Sequence, residues 1–165
     1  MSRILIVEDE VVIRQSLQRL LTRNGYSVAE AGTVTEALEQ HDPSSFDLII
    51  ADLRLPGALG TQVIDHCGDT PVIIMTSYAS VHSAVESMKK GAADYIAKPF
   101  DHDEMILMVE RLLQQSRLAR QNIALKHDLE RNYPVTGLVG NCTAMQEVFS
   151  RIKKVAPTDT TVLIL

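Results

Sequence analysis

Two periods of apolar positions divide the chain. Short runs rich in β-branched residues, Ile4–Val7, Ser27–Ala31, Leu48–Ala51, Val72–Met75 and Tyr95–Ala97, predict five strands, and the segments between them carry apolar residues at helical spacing. In the segment from Val12 to Arg23 the spacing sets Val12, Ile13, Leu17, Leu20 and Leu21 on one side, and Asn24-Gly25 supplies the stop, since glycine accepts a left-handed closing conformation. Thr33 with Glu36, and Asp101 with Glu104, have the separation at which a capping side chain and a reciprocal carboxylate tie down a helix start. Near-continuous apolar strands joined by helices require a parallel sheet covered on both faces, so the pattern predicts a doubly wound, five-stranded α/β domain.

The alternation ends at Asp101. No further strand follows, and helical residues run without Gly or Pro to Tyr133-Pro134, predicting one long helix. Its first part directs Met105, Ile106, Val109, Leu112 and Leu113 toward the domain. Its second part repeats Leu118, Asn122, Leu125 and Leu129 at alternating four and three, a short coiled-coil seam suited to pairing with a second copy. The bland alternative for these leucines is a solvated linker helix. After Pro134-Val135-Thr136-Gly137 a new unit is expected: Leu138-Val139-Gly140, a helix opening at Thr143 with Gln146 in the capping-box position, and an apolar strand from Thr160 to Leu165. One helix and one strand cannot close a core, so this stretch reads as the front edge of a further domain.

Composition narrows the classes. The 165 residues are 45% hydrophobic and 22% charged, which places the chain among globular proteins. A formal net charge of −5 leaves no concentrated basic face for nucleic acid. Cys67 and Cys142 stand too far apart for a disulfide framework or a recognisable metal motif, which favours a reducing, cytoplasmic setting. No window reaches the apolar length of a membrane span, and the amino terminus lacks a secretory pattern, so neither export nor anchoring is expected. With no Trp and 4% aromatic residues, chemistry is expected to rest on charge.

In an open parallel sheet ligands collect at the carboxyl ends of the strands. Those ends carry Glu8-Asp9, Asp52, Thr76-Ser77 and Lys98-Pro99. Each residue alone has a structural reading: an acidic first helical turn, a strand end before the Pro56-Gly57 turn, a helix cap, an exposed turn lysine. Their joint arrival at one sheet edge is what points to chemistry. Crowded carboxylates call for a cation, and Mg²⁺ suits them, since it takes oxygen ligands, few of them protein carboxylates, and shares its shell with water and phosphoryl oxygens. With the metal and Lys98 offsetting charge, a carboxylate such as Asp52 can act as nucleophile toward a phosphoryl group and form an acyl phosphate, which the Thr76 hydroxyl can bond.

These residues, with Asp52 in Asp-Leu-Arg-Leu-Pro-Gly, Met75-Thr76-Ser77 and Asp94-Tyr95-Ile96-Ala97-Lys98-Pro99-Phe100, resemble the receiver domain of two-component response regulators. The resemblance covers residues 1–117 and implies the flavodoxin-like receiver fold. It implies Asp52 as phosphoacceptor, Glu8, Asp9, Asp52 and the backbone carbonyl of Arg54 as the Mg²⁺ site, Lys98 as the phosphoryl-contacting lysine, Thr76 and Tyr95 as a switch pair, and a cis Lys98–Pro99 bond. Glu8 in place of a second aspartate is a common variant that adds a methylene near metal-bound water. Residues 118–134 would then be a helical, coiled-coil linker.

Residues 135–165, through Leu138-Val139-Gly140-Asn141, Ala144-Met145-Gln146 and Val155-Ala156-Pro157-Thr158-Asp159-Thr160-Thr161-Val162-Leu163-Ile164, look like the opening of the AAA+ ATPase domain of sigma-54-dependent transcriptional activators. The family's phosphate-binding Gly-rich loop does not occur among these 165 residues, so ATP is expected to be a ligand of the full-length protein only. Arg151, Lys153 and Lys154 read as a solvated helix face. The resemblance implies a sensor histidine kinase as phosphodonor, a homodimer, and contacts with sigma-54 RNA polymerase and DNA through regions outside this chain. It also implies no catalytic turnover by this chain beyond its own phosphorylation. A phosphohydrolase working through an aspartyl phosphate usually has a second aspartate two residues after the nucleophile, where this chain has Arg54. A degenerate receiver would have lost acidic, hydroxyl or lysine positions, and a nucleotide-binding Rossmann domain needs a Gly-rich turn after the first strand.

Overall fold

A computed structural model describes residues 1–77, 81–132, 140, 142–156, 158 and 161. The chain divides into two compact units, Met1–Leu118 and Ala119–Leu165. In the first, strands β1 (Arg3–Val7), β2 (Ser27–Ala31), β3 (Leu48–Asp52), β6 (Val72–Thr76) and β7 (Asp94–Ala97) form one parallel sheet in the order β2-β1-β3-β6-β7. The five strands expected from the apolar runs are all present. The sheet order reverses beside β1, whose neighbours are β2 and β3, and this sets a crevice at the carboxyl ends of β1 and β3.

Alternation along each strand divides the core into two layers. Leu5, Val7, Ile49, Ala51 and Ile74 face α2 (Val34–Gln40) and the 3₁₀ segment Gly60–His66, with Val34, Ala37 and Val63 buried against them. Ile4, Ile6, Leu48, Ile50, Ile73 and Met75 face α1 (Val11–Arg23) and the start of α4 (His102–Asn132), which contribute Leu17, Leu21, Met105, Val109 and Leu112. Ile106 and Leu113 pack at the margin of that layer, as their spacing predicts. Helix α3 (Val81–Lys89) precedes β7.

Local signals held with two adjustments. Helix α1 stops at Asn24, followed by Gly25 at φ 83°, but Val12 is 80% exposed and stands outside the buried stripe that includes Leu17 and Leu21. Val11, the first residue of the helix, is exposed as well, at 52%. Thr33 caps α2 through the Glu36 amide at 3.1 Å, and the Glu36 carboxylate returns to the Gly32 amide at 2.6 Å, one residue earlier than the usual box. Asp101 caps α4 by accepting from the amides of Asp103 (2.8 Å) and Glu104 (3.3 Å).

The crossover from β3 to β6 is not an α-helix. It holds a small antiparallel hairpin, β4 (Arg54–Leu55) with β5 (Ala58–Leu59), and then the 3₁₀ run Gly60–His66.

In the second unit, α5 (Thr143–Val155) begins at Thr143, as expected, but Cys142 is its N-cap and no side chain closes it; the Gln146 amide bonds the Cys142 carbonyl at 3.1 Å. Phe149 is buried within it. The helix end at Tyr133-Pro134, Pro134–Gly137, Leu138-Val139, the strand from Thr160 to Leu165, and the side chains of Leu125, Leu129 and Lys153 lie outside the described residues.

Candidate functional site

Strand register assembles the site. Val7 pairs with Ala51, so Glu8, one step beyond, arrives beside Asp52; Asp52 pairs with Met75, which brings Thr76 in next; Thr76 pairs with Ala97, which leaves Lys98 as the following residue. Each functional position thus lies at or one residue past the last rung of its strand. The Lys98 amide completes the staircase by donating to the Thr76 carbonyl at 2.7 Å. The Lys98–Pro99 peptide is cis.

The Glu8 side chain is fully buried. Its Oε2 accepts from Lys98 Nζ at 2.6 Å and its Oε1 from the Glu10 amide at 3.3 Å, while the Glu8 amide is held by the Ala31 carbonyl at 3.0 Å. The Asp52 carboxylate accepts from Lys98 Nζ at 2.6 Å through Oδ2 and from the Arg54 amide at 3.2 Å through Oδ1. One ammonium therefore bridges two carboxylates that sequence separates by 44 positions. Asp9 is exposed, and carboxylate oxygens of Glu8, Asp9 and Asp52 fall within 4.8 Å of one another.

Burial drives the Glu8 carboxyl above its ordinary range; the hydrogen bond and charge of Lys98 oppose this and the charge of Asp52 adds to it. For Lys98, burial pulls the ammonium down, but hydrogen bonds to Asp52 and Glu8, reinforced by their charges, outweigh it and leave the group above its usual value. Three carboxylates against one ammonium leave an excess of negative charge at a half-open edge. Hard oxygen donors, one side buried and one open to water, fit a cation of the Mg²⁺ type, which keeps part of its hydration shell. Arg54 sits two residues beyond Asp52, with its peptide amide already bonded to that carboxylate.

Gly60 is the close-approach glycine of the site. Its amide bonds the Leu53 carbonyl at 3.0 Å, and a Cβ at this position would run into the backbone carbonyl of Asp52. The chain after the hairpin can return against the Asp52 backbone only because residue 60 has no side chain.

Thr76 is buried. Tyr95 stands apart from the carboxylate cluster: it is half-buried on β7, and its hydroxyl lies 3.4 Å from the Ser83 hydroxyl of α3. Arg151 and Lys154 are exposed on α5, in keeping with a solvated face. Two residues escaped the sequence reading. Ser83 carries no signal beyond a hydroxyl on a helix. Arg14 could have been found as a cation one turn into the helix that follows an acidic pair; its guanidinium bonds the backbone carbonyls of both acidic residues.

Residues 4–110 match the Response regulator receiver domain family. The chain is 37% identical over 165 residues to the transcriptional regulatory protein ZraR of Klebsiella oxytoca, covering 98% of this chain and 36% of that protein. Among solved structures, the non-phosphorylated HemR receiver domain of Leptospira biflexa superposes with a TM-score of 0.63 at 33% identity, over 68% of this chain and 94% of that one. NtrX of Brucella abortus in complex with ATP superposes with a TM-score of 0.70 at 31% identity, over 95% of this chain and 35% of that one. The chain thus spans about a third of the length of the longer proteins it matches.

Proposed function

The chain belongs to the response regulator receiver domain family, and from that premise we propose that Asp52 accepts a phosphoryl group from the phosphohistidine of a sensor histidine kinase. The observation that carries this reading is the Lys98 ammonium held between Asp52 and the buried Glu8, with Asp9 alongside. An Asp52 carboxylate oxygen attacks phosphorus; a P–O bond forms as the P–N bond to the kinase histidine breaks, and the histidine leaves with its electron pair. Glu8, Asp9, Asp52 and the backbone carbonyl of Arg54 would hold Mg²⁺, which when bound offsets charge on the phosphoryl oxygens. Lys98 is already in contact with the nucleophile and follows the charge from carboxylate to phosphoryl oxygen. The Thr76 hydroxyl bonds that group in turn.

The acyl phosphate carries about 1.5 to 2 negative charges where the Asp52 carboxylate carried one, and it moves that charge outward onto three phosphoryl oxygens. Thr76 and the Tyr95 side chain move toward it, Tyr95 leaving its contact with Ser83, and the face made of α3, β7 and the start of α4 changes its packing against a second copy. Residues 1–117 are the receiver, 118–134 a coiled-coil linker that transmits the change, and 135–165 the start of an AAA+ ATPase domain. In the whole protein that domain would use ATP to activate sigma-54-dependent transcription in the cytoplasm, engaging sigma-54 RNA polymerase and DNA. The ATP-bound NtrX neighbour supports this extension.

Incubation with Mg²⁺ and acetyl phosphate, followed by intact mass measurement, tests the assignment. Wild type gains one phosphoryl group and Asp52→Asn gains none; equal labelling of the two removes Asp52 from the role.

A further inference from the structure

Arg14, on the first full turn of α1, is bound to the acidic loop twice. Its amide donates to the Glu10 carbonyl at 2.9 Å as part of the helix. Its guanidinium turns back: Nη1 donates to the Glu8 carbonyl and, at 3.3 Å, to the Asp9 carbonyl, while Nε lies 3.4 Å from Glu30 Oε2 on β2. The planar fork of arginine suits this, since one group must reach two carbonyls and a carboxylate in fixed directions. The Glu8 backbone is consequently held on both sides, its amide on Ala31 and its carbonyl on Arg14. Arg14 contacts carbonyls of the two loop acids, and Glu30 answers its charge, so the guanidinium bonds the loop without taking up the carboxylates of Glu8 and Asp9.

We propose that Arg14 is a positioning residue for divalent-cation binding: it fixes the backbone of Glu8 and Asp9 so that their carboxylates converge with Asp52 before the ion arrives. This rests on the reading of Glu8, Asp9 and Asp52 as the Mg²⁺ site. Groups that orient metal ligands from behind commonly control affinity as strongly as a weak ligand does.

Calorimetric titration of the whole chain with MgCl₂ tests this with wild type, Arg14→Gln, Arg14→Lys and Asp9→Asn. Arg14→Gln weakens Mg²⁺ binding by about 10-fold. Arg14→Lys, which keeps the charge but loses the fork, remains weaker than wild type. In the same variants, labelling of Asp52 by acetyl phosphate needs more Mg²⁺ for half-saturation yet reaches the wild-type maximum rate, a split that a general loosening of the helix would not produce. Equal Mg²⁺ affinity in wild type and Arg14→Gln overturns the proposal, as does a lowered maximum with unchanged half-saturation. Should Arg14→Gln fail to fold, Glu30→Gln, which frees the guanidinium without removing it, is titrated instead; weaker binding supports the proposal and unchanged affinity overturns it. A wild type that binds no Mg²⁺, or an Asp9→Asn that binds like wild type, locates the failure in the metal site itself.

Discussion

Lys98 Nζ lies 2.6 Å from Glu8 Oε2, joining two ends of the receiver segment across 90 positions of sequence. The same nitrogen holds Asp52 at 2.6 Å, so its removal would leave two neighbouring carboxylates, both largely buried, without their cation. Lys98→Met is expected to lower the stability of the metal-free protein by about 3 kcal/mol at neutral pH, the scale for breaking a buried ion pair from one side. Urea unfolding measures this. The loss should shrink on acidification, as the stranded carboxylates take up protons, and on addition of Mg²⁺, which supplies a replacement cation.

The pH dependence has the same sign for the two partners but falls in different windows. Glu8 holds its proton more tightly folded than unfolded, because it is buried. Its contribution to the metal-free protein is therefore best at low pH and declines as pH rises from about 4.3, the unfolded carboxyl value, through the raised folded one. Lys98, also raised when folded, contributes fully below about 10.4 and loses that contribution as pH climbs through its folded value. Unfolding free energies measured from pH 4 to 8 should show the Glu8 decline, and Glu8→Gln should flatten it. Over the same interval Mg²⁺ affinity should rise, since the departing proton competes with the ion.

Gly60→Ala is expected to cost about 1–3 kcal/mol, as overpacking does, because its methyl group would meet the Asp52 carbonyl. The effect should exceed stability alone. Moving that carbonyl displaces Asp52, the proposed nucleophile, so the rate of labelling by acetyl phosphate should fall even at temperatures where the variant is folded. Urea unfolding and labelling kinetics on the same samples separate the two.

Leu118 is 57% exposed on the long helix α4, an apolar side chain left to water. If the proposed seam buries it in a dimer, Leu118→Lys should lower the mass seen by light scattering toward that of one chain without altering Asp52 labelling.

The centre of the sheet was legible because its strands are apolar on both faces and stand out as unbroken apolar runs; Leu48–Asp52 and Val72–Thr76 are buried at every position, whereas the edge strands Ser27–Ala31 and Asp94–Ala97 are mostly half-buried. The candidate site was legible because parallel strands end together, so an acidic pair, an aspartate, a hydroxyl and a lysine at successive strand ends must meet. The 3₁₀ crossover Gly60–His66 was not, since a segment committed to a tight hairpin and a glycine contact is shaped by its tertiary neighbours more than by its own period. Val12 lies about 140° around the helix from Leu17, at the margin of the apolar arc, so a broad apolar spacing overstates which side chains the core reaches. Arg14 escaped because its nearest partners are main-chain carbonyls, which every residue has, and its place one turn after an acidic pair was the one signal it left.

The rung-by-rung placement of Glu8, Asp52, Thr76 and Lys98 has a bearing on how such a site can change over evolutionary time. A parallel strand that gains or loses a single residue turns every later side chain to the opposite face. One deletion within β3 would turn Asp52 into the helix-packed layer and lift a core residue into the crevice. Lengthening is tolerable in the connecting segments and forbidden inside the strands, so the four residues are inherited as a block: each may be exchanged in kind, but none can be relocated alone.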